Sequence, residues 1–303
     1  MGNDLFEKAP IPKAYFSFAL PVVFSMVISL VYNMADTYFI AATGNTNLVA
    51  GVSLGAPIFT LMIALGDIFG LGGSSVISRL FGKKMDEDGK RLSVFCFYGA
   101  IVCGIVVAVL MMLFRAPILT LLGAKADTVQ YASDYYTWLV IGAPFIILSF
   151  TPSNLLRTEG FSVASMTGTV LGSVINIILD PILIFGLFGM PRLGVSGAAI
   201  ATVCGQICGA LLAFAFNIKV NTDINLNIKG FRPNKKIIGT IYSVGVPSIV
   251  MQAIGSVMTF GMNKILIQFT STATAVFGVY FKLNSFIFMP IFGLNNGMVP
   301  IVA

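Results

Sequence analysis

The sequence predicts an all-α integral membrane protein, and three observations carry the prediction. Hydrophobic residues make up 57% of the 303-residue chain and charged residues only 10%, whereas a soluble domain carries about 25% charged residues. The apolar residues fall into long runs, and a run of roughly 20 is enough to cross a hydrocarbon core. The Lys and Arg residues behind the formal net charge of +6 sit in short clusters between those runs. That arrangement reads as membrane topology rather than as a phosphate-binding face, so the expected surroundings are a lipid bilayer and no nucleic acid is expected as a partner.

Eight spans follow, at approximately 15–42, 52–78, 92–114, 135–156, 162–188, 194–217, 237–268 and 274–302. Several exceed the minimum length, so tilt or kinks are expected. With the amino terminus placed in the cytoplasm, thirteen basic residues fall inside: Lys8, Lys13, Arg79, Lys83, Lys84, Lys90, Arg91, Arg157, Lys219, Lys229, Arg232, Lys235 and Lys236. Four fall outside: Arg115, Lys125, Arg192 and Lys264. The asymmetry puts the amino terminus on the cytoplasmic side. The first apolar run is too long for a secretory signal, and no small-residue cleavage site follows it.

The first span opens on Phe-Ala-Leu-Pro at 18–21. Pro21 cannot donate to the carbonyl of Ser17 and should kink the helix there. A bend that can straighten supplies a two-state element; a static kink filled by a neighbour reads equally well. Asn33, a candidate cavity-lining residue, and Asp36 follow towards the outer end. The second span carries Asp67 about 22 Å in, where it faces a cavity or pairs with a base such as Arg79. Its Gly-Leu-Gly-Gly-Ser run at 70–74 is not a phosphate loop, because no strand precedes it and no Lys stands in the required place. Cys96 and Cys103 in the third span, and Cys204 and Cys208 in the sixth, read as small apolar packing residues. There is no histidine, which excludes Ser–His triads, His-ligated zinc and His-ligated haem. No catalytic residue is expected. Arg157 and Glu159, at the end of the fourth span, are expected to be solvated or part of a gate.

In the fifth span Asn176 and Asp180 are four residues apart and stack on one helix face. Pro181 leaves the carbonyl of Ile177 without its helical donor. The Gly-Thr-Val-Leu-Gly run at 168–172 is a small-residue packing pattern. The sixth span enters from outside and carries Thr202. By helical rise, Asp36, Asp180 and Thr202 all lie roughly 10 to 12 Å below the outer interface. With Asn176 they form an oxygen-rich layer suited to a hard cation such as Na+ or to a shared proton. A charge at bilayer depth costs about 2.5 to 3.5 kcal/mol on insertion scales and usually marks a functional position. Each Asp could instead cap a helix or bond locally for packing.

A polar stretch then divides the chain into a six-helix unit at 1–217, a cytoplasmic linker at 218–236 and two further helices at 237–303. Val-Gly-Val-Pro at 244–247 echoes the opening of the first span, and Gly-Leu-Asn-Asn-Gly at 293–297 echoes 70–74. Six spans return the chain to its starting side, so this is a parallel repeat of the kind transporters build around a central cavity. The second copy stops after two helices, so about four spans are expected to be missing. Lys282 in the eighth span is a candidate counter-ion or cavity wall, or snorkels to the interface. The 14 Met and 26 Phe residues offer plastic, polarisable walls, though most are packing or lipid-facing.

The run from Ala19 to Asp36, Leu-Arg-Thr-Glu-Gly at 156–160, Asn-Ile-Ile-Leu-Asp-Pro at 176–181, Gly-Val-Ser-Gly-Ala-Ala-Ile-Ala-Thr at 194–202 and the stretch from Lys282 to Leu294 resemble the multidrug and toxin extrusion (MATE) transporters. The resemblance spans essentially the whole chain, and the motifs of the fifth and sixth spans are its most specific part. It implies twelve helices in two six-helix lobes around a cavity, of which the first lobe and two helices of the second are present. It implies a secondary transporter, in the plasma membrane of a prokaryote, that exports lipophilic, cationic drug-like compounds by antiport with H+ or Na+. The coupling cation takes the place of a cofactor. Asp36, Asn176, Asp180 and Thr202 match the family's cation-binding residues, with Na+ at Asp36, Asn176 and Asp180 if sodium is the ion. Pro21 matches the proline at which the family's first helix bends. A monomer is expected. The alternative on the same architecture is a flippase or exporter of lipid-linked oligosaccharides, which the scarcity of intramembrane cations disfavours. An intramembrane aspartyl protease would need two Asp residues in motifs of its own, and Asp180 instead precedes a proline.

Overall fold

The computed structural model describes residues 10–124, 126–220, 235–266, 269 and 271–302, with only part of the side chains between 252 and 282. Most of the linker expected at 218–236 and the side chain of Lys282 lie outside the described residues. Among those residues there are helices and no strand. Among the described residues seven helices are long and apolar enough to cross a membrane, or eight spans if one bent pair is counted as a span.

Helix α1 (Ile11–Ala41) begins with Pro12 in its first turn, where a missing N–H costs no helical bond. It runs on through Pro21 and leaves Phe16, Leu20 and Phe24 exposed, as a lipid-facing stripe requires. Asn45 then caps α2 (Thr46–Asp67), its side-chain oxygen accepting from the N–H groups of Asn47 at 3.0 Å and Leu48 at 3.2 Å. The second span is not one regular helix. It opens into a π-turn at Ile68–Gly72 before α3 (Gly73–Gly82). A Cβ added at Gly70 would stand 2.9 Å from Asn154 Nδ2 and 3.1 Å from Phe150 Cβ, so only glycine fits that face of the widened turn.

Helix α4 (Asp86–Leu113) carries Asp86, Glu87 and Asp88 in its first turn, where acidic groups complement the helix dipole. The short α5 (Arg115–Leu121) follows, with Arg115 donating to Ser133 Oγ. The fourth span starts earlier than hydropathy suggested, as α6 (Val129–Ile141), because Gln130, Ser133 and Asp134 dilute its first turns without breaking them. It then bends by 48° into α7 (Ala143–Thr158). Pro144, just inside α7, supplies no N–H to continue the α6 ladder. Helix α8 (Ser162–Phe185) stops short of the expected 188 because Gly186 takes a left-handed conformation at φ 74° and turns the chain out. Helix α9 (Val195–Lys219) returns, and α10 (Lys235–Leu266) and α11 (Ser271–Val302) complete the described chain.

Glycines set the closest approaches. The backbones of α8 and α9 touch: a Cβ at Gly172 would lie 2.6 Å from Gly205 O, and one at Gly205 would lie 2.6 Å from Gly172 O. Helices α2, the π-turn and α3 run parallel to α7 with a shared step of four residues. Gly66 lies against Phe150, Gly70 against Asn154, and Ser74 Oγ accepts from Thr158 Oγ1 at 3.1 Å. Arg157 and Glu159, expected to be solvated or part of a gate, are only 7% and 6% exposed, because α8 and the π-turn region close over the end of α7, which leaves the solvated alternative out.

Helices α10 and α11 dock on the rest through the echoing segments themselves. A Cβ at Gly293 or Gly297 of α11 would stand 2.7 Å from Val23 Cα or 2.9 Å from Ala19 Cα, beside Pro21. A Cβ at Gly245 of α10, next to Pro247, would stand 2.9 Å from Ile68 Cα, while Gly72 faces Gly245 in return. Each proline-bearing helix therefore packs on the glycine segment of the other echoing pair. Enlarging either contact must push backbones apart. Gly245→Ala and Gly297→Ala are each expected to raise hydrogen exchange across this seam, read by mass spectrometry over 66–74 and 17–26; unchanged exchange in both would show the contact to be slack.

Candidate cation site

The packing of α1 along α8 and of α8 along α9 brings the expected oxygen layer together. Asp36 and Asp180 stand within hydrogen-bonding reach of each other. Carboxylates only accept, so a direct bond between them needs one hydrogen held by the pair. Asp180 is fully buried and Asn176 is 2% exposed. Both Asp180 oxygens, Asp36 Oδ1 and Asn176 Oδ1 are buried and receive no hydrogen bond from an N–H or hydroxyl donor. Buried polar oxygens are ordinarily satisfied, so four without a donor in one place call for a hydrogen or a cation. Asn176 Nδ2 faces Thr202 Oγ1 at 3.4 Å, and that hydroxyl donates to Ala198 O at 3.1 Å. Thr202 thus orients the amide, leaving the Asn176 oxygen free.

Two tyrosines missed in the sequence complete the surroundings. Tyr32 lies one turn before Asp36, and Tyr135 comes from α6, its ring laid over Gly55 of α2. Both feel the charges of Asp36 and Asp180. The i, i+4 spacing to Asp36 could have pointed to Tyr32; nothing in the sequence points to Tyr135, which arrives through the packing of α6. The other candidates stand elsewhere. Asn33 is exposed and donates to Ser29 O at 2.8 Å. Asp67 lies beside the π-turn, where its charge acts on Arg157. Among the described residues no cluster of three or more His, Cys, Asp or Glu side chains could hold a metal. The donors at the site are two carboxyls, an amide and a hydroxyl, all oxygen atoms of the kind that hard monovalent cations and protons use.

A family model described as MatE matches residues 21–182, more than half of the chain. The chain belongs to the MatE family. It is similar to the multidrug export protein MepA of Staphylococcus aureus, with 34% identity over 298 residues that cover 98% of this chain and 65% of that relative. It is also similar to a solved outward-facing conformation of a multidrug resistance MATE family transporter of the MOP superfamily, at a TM-score of 0.90 and 28% identity, covering 99% of this chain and 66% of that one. A MOP superfamily transporter from Pyrococcus furiosus matches at the same TM-score and identity, and its binding pocket is described as reversed in polarity. This MatE chain thus spans about two thirds of the length of the relatives it matches. The family model covers Pro21, Asp36, Asn176 and Asp180, and ends at residue 182, before Thr202.

Proposed function

We propose that this chain forms the first six-helix bundle, and the opening helices of a second, in a monomeric secondary transporter of the prokaryotic plasma membrane with a cytoplasmic amino terminus. In this reading it exports lipophilic, cationic drug-like compounds in exchange for H+ or Na+. The observation that carries the reading is the facing pair Asp36 and Asp180, whose buried oxygens lack donors beside an equally unsatisfied Asn176 Oδ1. Two ionised carboxylates at that separation repel and are poorly solvated, so uptake of a proton or Na+ lowers the free energy of the pair. Because the two groups come from α1 and α8, occupancy changes what holds those helices together. Pro21 leaves the carbonyl of Ser17 unbonded and gives α1 a place to bend in response.

Coupling of cation and drug is reciprocal: the state that holds the ion binds the drug less well by the same factor. The MepA relative is named as a multidrug exporter, which supports the substrate class. Export of a fluorescent lipophilic cation from vesicles containing the full-length protein, with proton and sodium gradients imposed separately, tests the reading. Export driven by one of the two gradients is expected; accumulation unaffected by either would overturn it.

A further inference from the structure

Arg157 belongs to none of the groups around the carboxyl pair, yet it is buried at the end of α7. A buried guanidinium is costly unless its donors are held. Here Nε donates to Ser165 Oγ of α8 at 3.0 Å, and Ser165 is itself fully buried. The charge of Asp67 acts on the same guanidinium, and Asp67 is the residue from which the π-turn springs. The neighbouring Thr158 clasps α3 through Ser74 Oγ, so the end of α7 is fixed on two sides.

Both elements that meet the end of α7 lead to moving parts of the proposed cycle. The π-turn is the docking place of α10: Gly245 lies on Ile68 and Gly72, and the Phe69 ring meets Tyr242 edge-on at 6.4 Å. Helix α8 carries Asn176 and Asp180, with Asp180 about 22 Å further along from Ser165. π-turns inside helices recur at functional positions.

We propose that Arg157 is a positioning residue that holds the helix bearing Asn176 and Asp180, through Ser165, to the end of α7, whose Asn154 and Thr158 rest on Gly70 and Ser74 beside the seam where α10 docks, so that occupancy of the carboxyl pair and the state of that seam are coupled through this joint. This rests on the antiport reading above. Arginine suits the task because its rigid planar guanidinium directs Nε–H at the Ser165 hydroxyl while keeping its charge, which a flexible lysine ammonium cannot do in the same geometry.

The full-length protein in nanodiscs and vesicles supplies the test. Hydrogen exchange of segments 66–74 and 238–248 is compared with Na+ present and with choline in its place, and at two pH values after correction for intrinsic rates. Ser165→Ala removes one small hydroxyl and is expected to fold; Arg157→Lys keeps the charge and loses the planar guanidinium. Both variants should keep thermal stabilisation by the cation but lose the exchange response at the seam. Export should slow about tenfold at unchanged KM for the drug. A seam response retained in both variants overturns the proposal while leaving antiport intact, and so does loss of cation-induced stabilisation, which would put Arg157 in the ion site itself. A parent protein with no seam response to either cation overturns the proposal too, and one whose export follows neither gradient brings down the antiport reading with it.

Discussion

Asp180→Asn, and equally Asp36→Asn, is expected to reduce gradient-driven export to the level of empty vesicles while leaving a folded protein. The amide keeps the shape of the carboxyl but cannot take up or release a proton and adds no charge for Na+. At Asp180, where both oxygens are buried without a donor, an amide also offers its own N–H groups to the facing Asp36. The substitution therefore relieves an unsatisfied site instead of creating one, and thermal stability in the absence of cation should hold or rise. The separating signature is linkage. A cation that binds the folded parent stabilises it by about 2.7 kcal/mol at a concentration about a hundred times Kd. That increment, read as a cation-dependent rise in unfolding temperature, should vanish in both variants. Variants that export at the parent rate, or that keep the increment, would remove the carboxyl pair from the mechanism.

Gly205→Val is the second large effect, and it acts on the frame that holds the site. A Cβ there would lie 2.6 Å from Gly172 O and 3.2 Å from Asn176 Cβ. Carbon contacts relax near 3.5 Å, so α8 and α9 must part by about 1 Å. Overpacking an ordinary core site costs about 1 to 3 kcal/mol, where side chains can rotate aside. Here the obstacle is backbone, and no rotamer absorbs the added methyl groups. Gly172→Val meets the mirror-image contact. Both variants should fail to accumulate in the membrane as monodisperse protein. Gly82→Ala, where a Cβ meets nothing within 4 Å, should accumulate like the parent. Normal yield of Gly205→Val would mean that the two helices are not held by backbone contact at all.

Depth counting placed Asp36, Asp180 and Thr202 at one level, and the structure sets Asp36 against Asp180 and Asn176 against Thr202. Level is legible because helical rise is fixed and a proline such as Pro181 is visible in the chain. The small-residue run at 168–172 was legible as a packing stripe too, but its partner was not: Gly205 and Gly209 carry no mark that pairs them with Gly172 and Gly168. The π-turn at Ile68–Gly72 and the bend at Gly142 were missed because hydropathy averages over a window longer than one turn. Charge at a span end is usually solvated, so the burial of Arg157 and Glu159 is not legible in the sequence; it depends on α8 closing over α7.

The sequence alone determined that this chain must lie in lipid, roughly where most of its spans fall, and which oxygen-bearing side chains share a helix face. Those properties follow from composition, from a 1.5 Å rise and from the chemistry of proline, all of which are local. Only the tertiary structure decided that Asp36 meets Asp180, that Tyr135 joins them from another span, and that Arg157 sits on Ser165 under the charge of Asp67. Such contacts join residues far apart in the chain, and apolar helices of similar composition differ little in what they bury. The choice among partners is therefore made by close fit at a few glycines, and close fit is a property of two surfaces together.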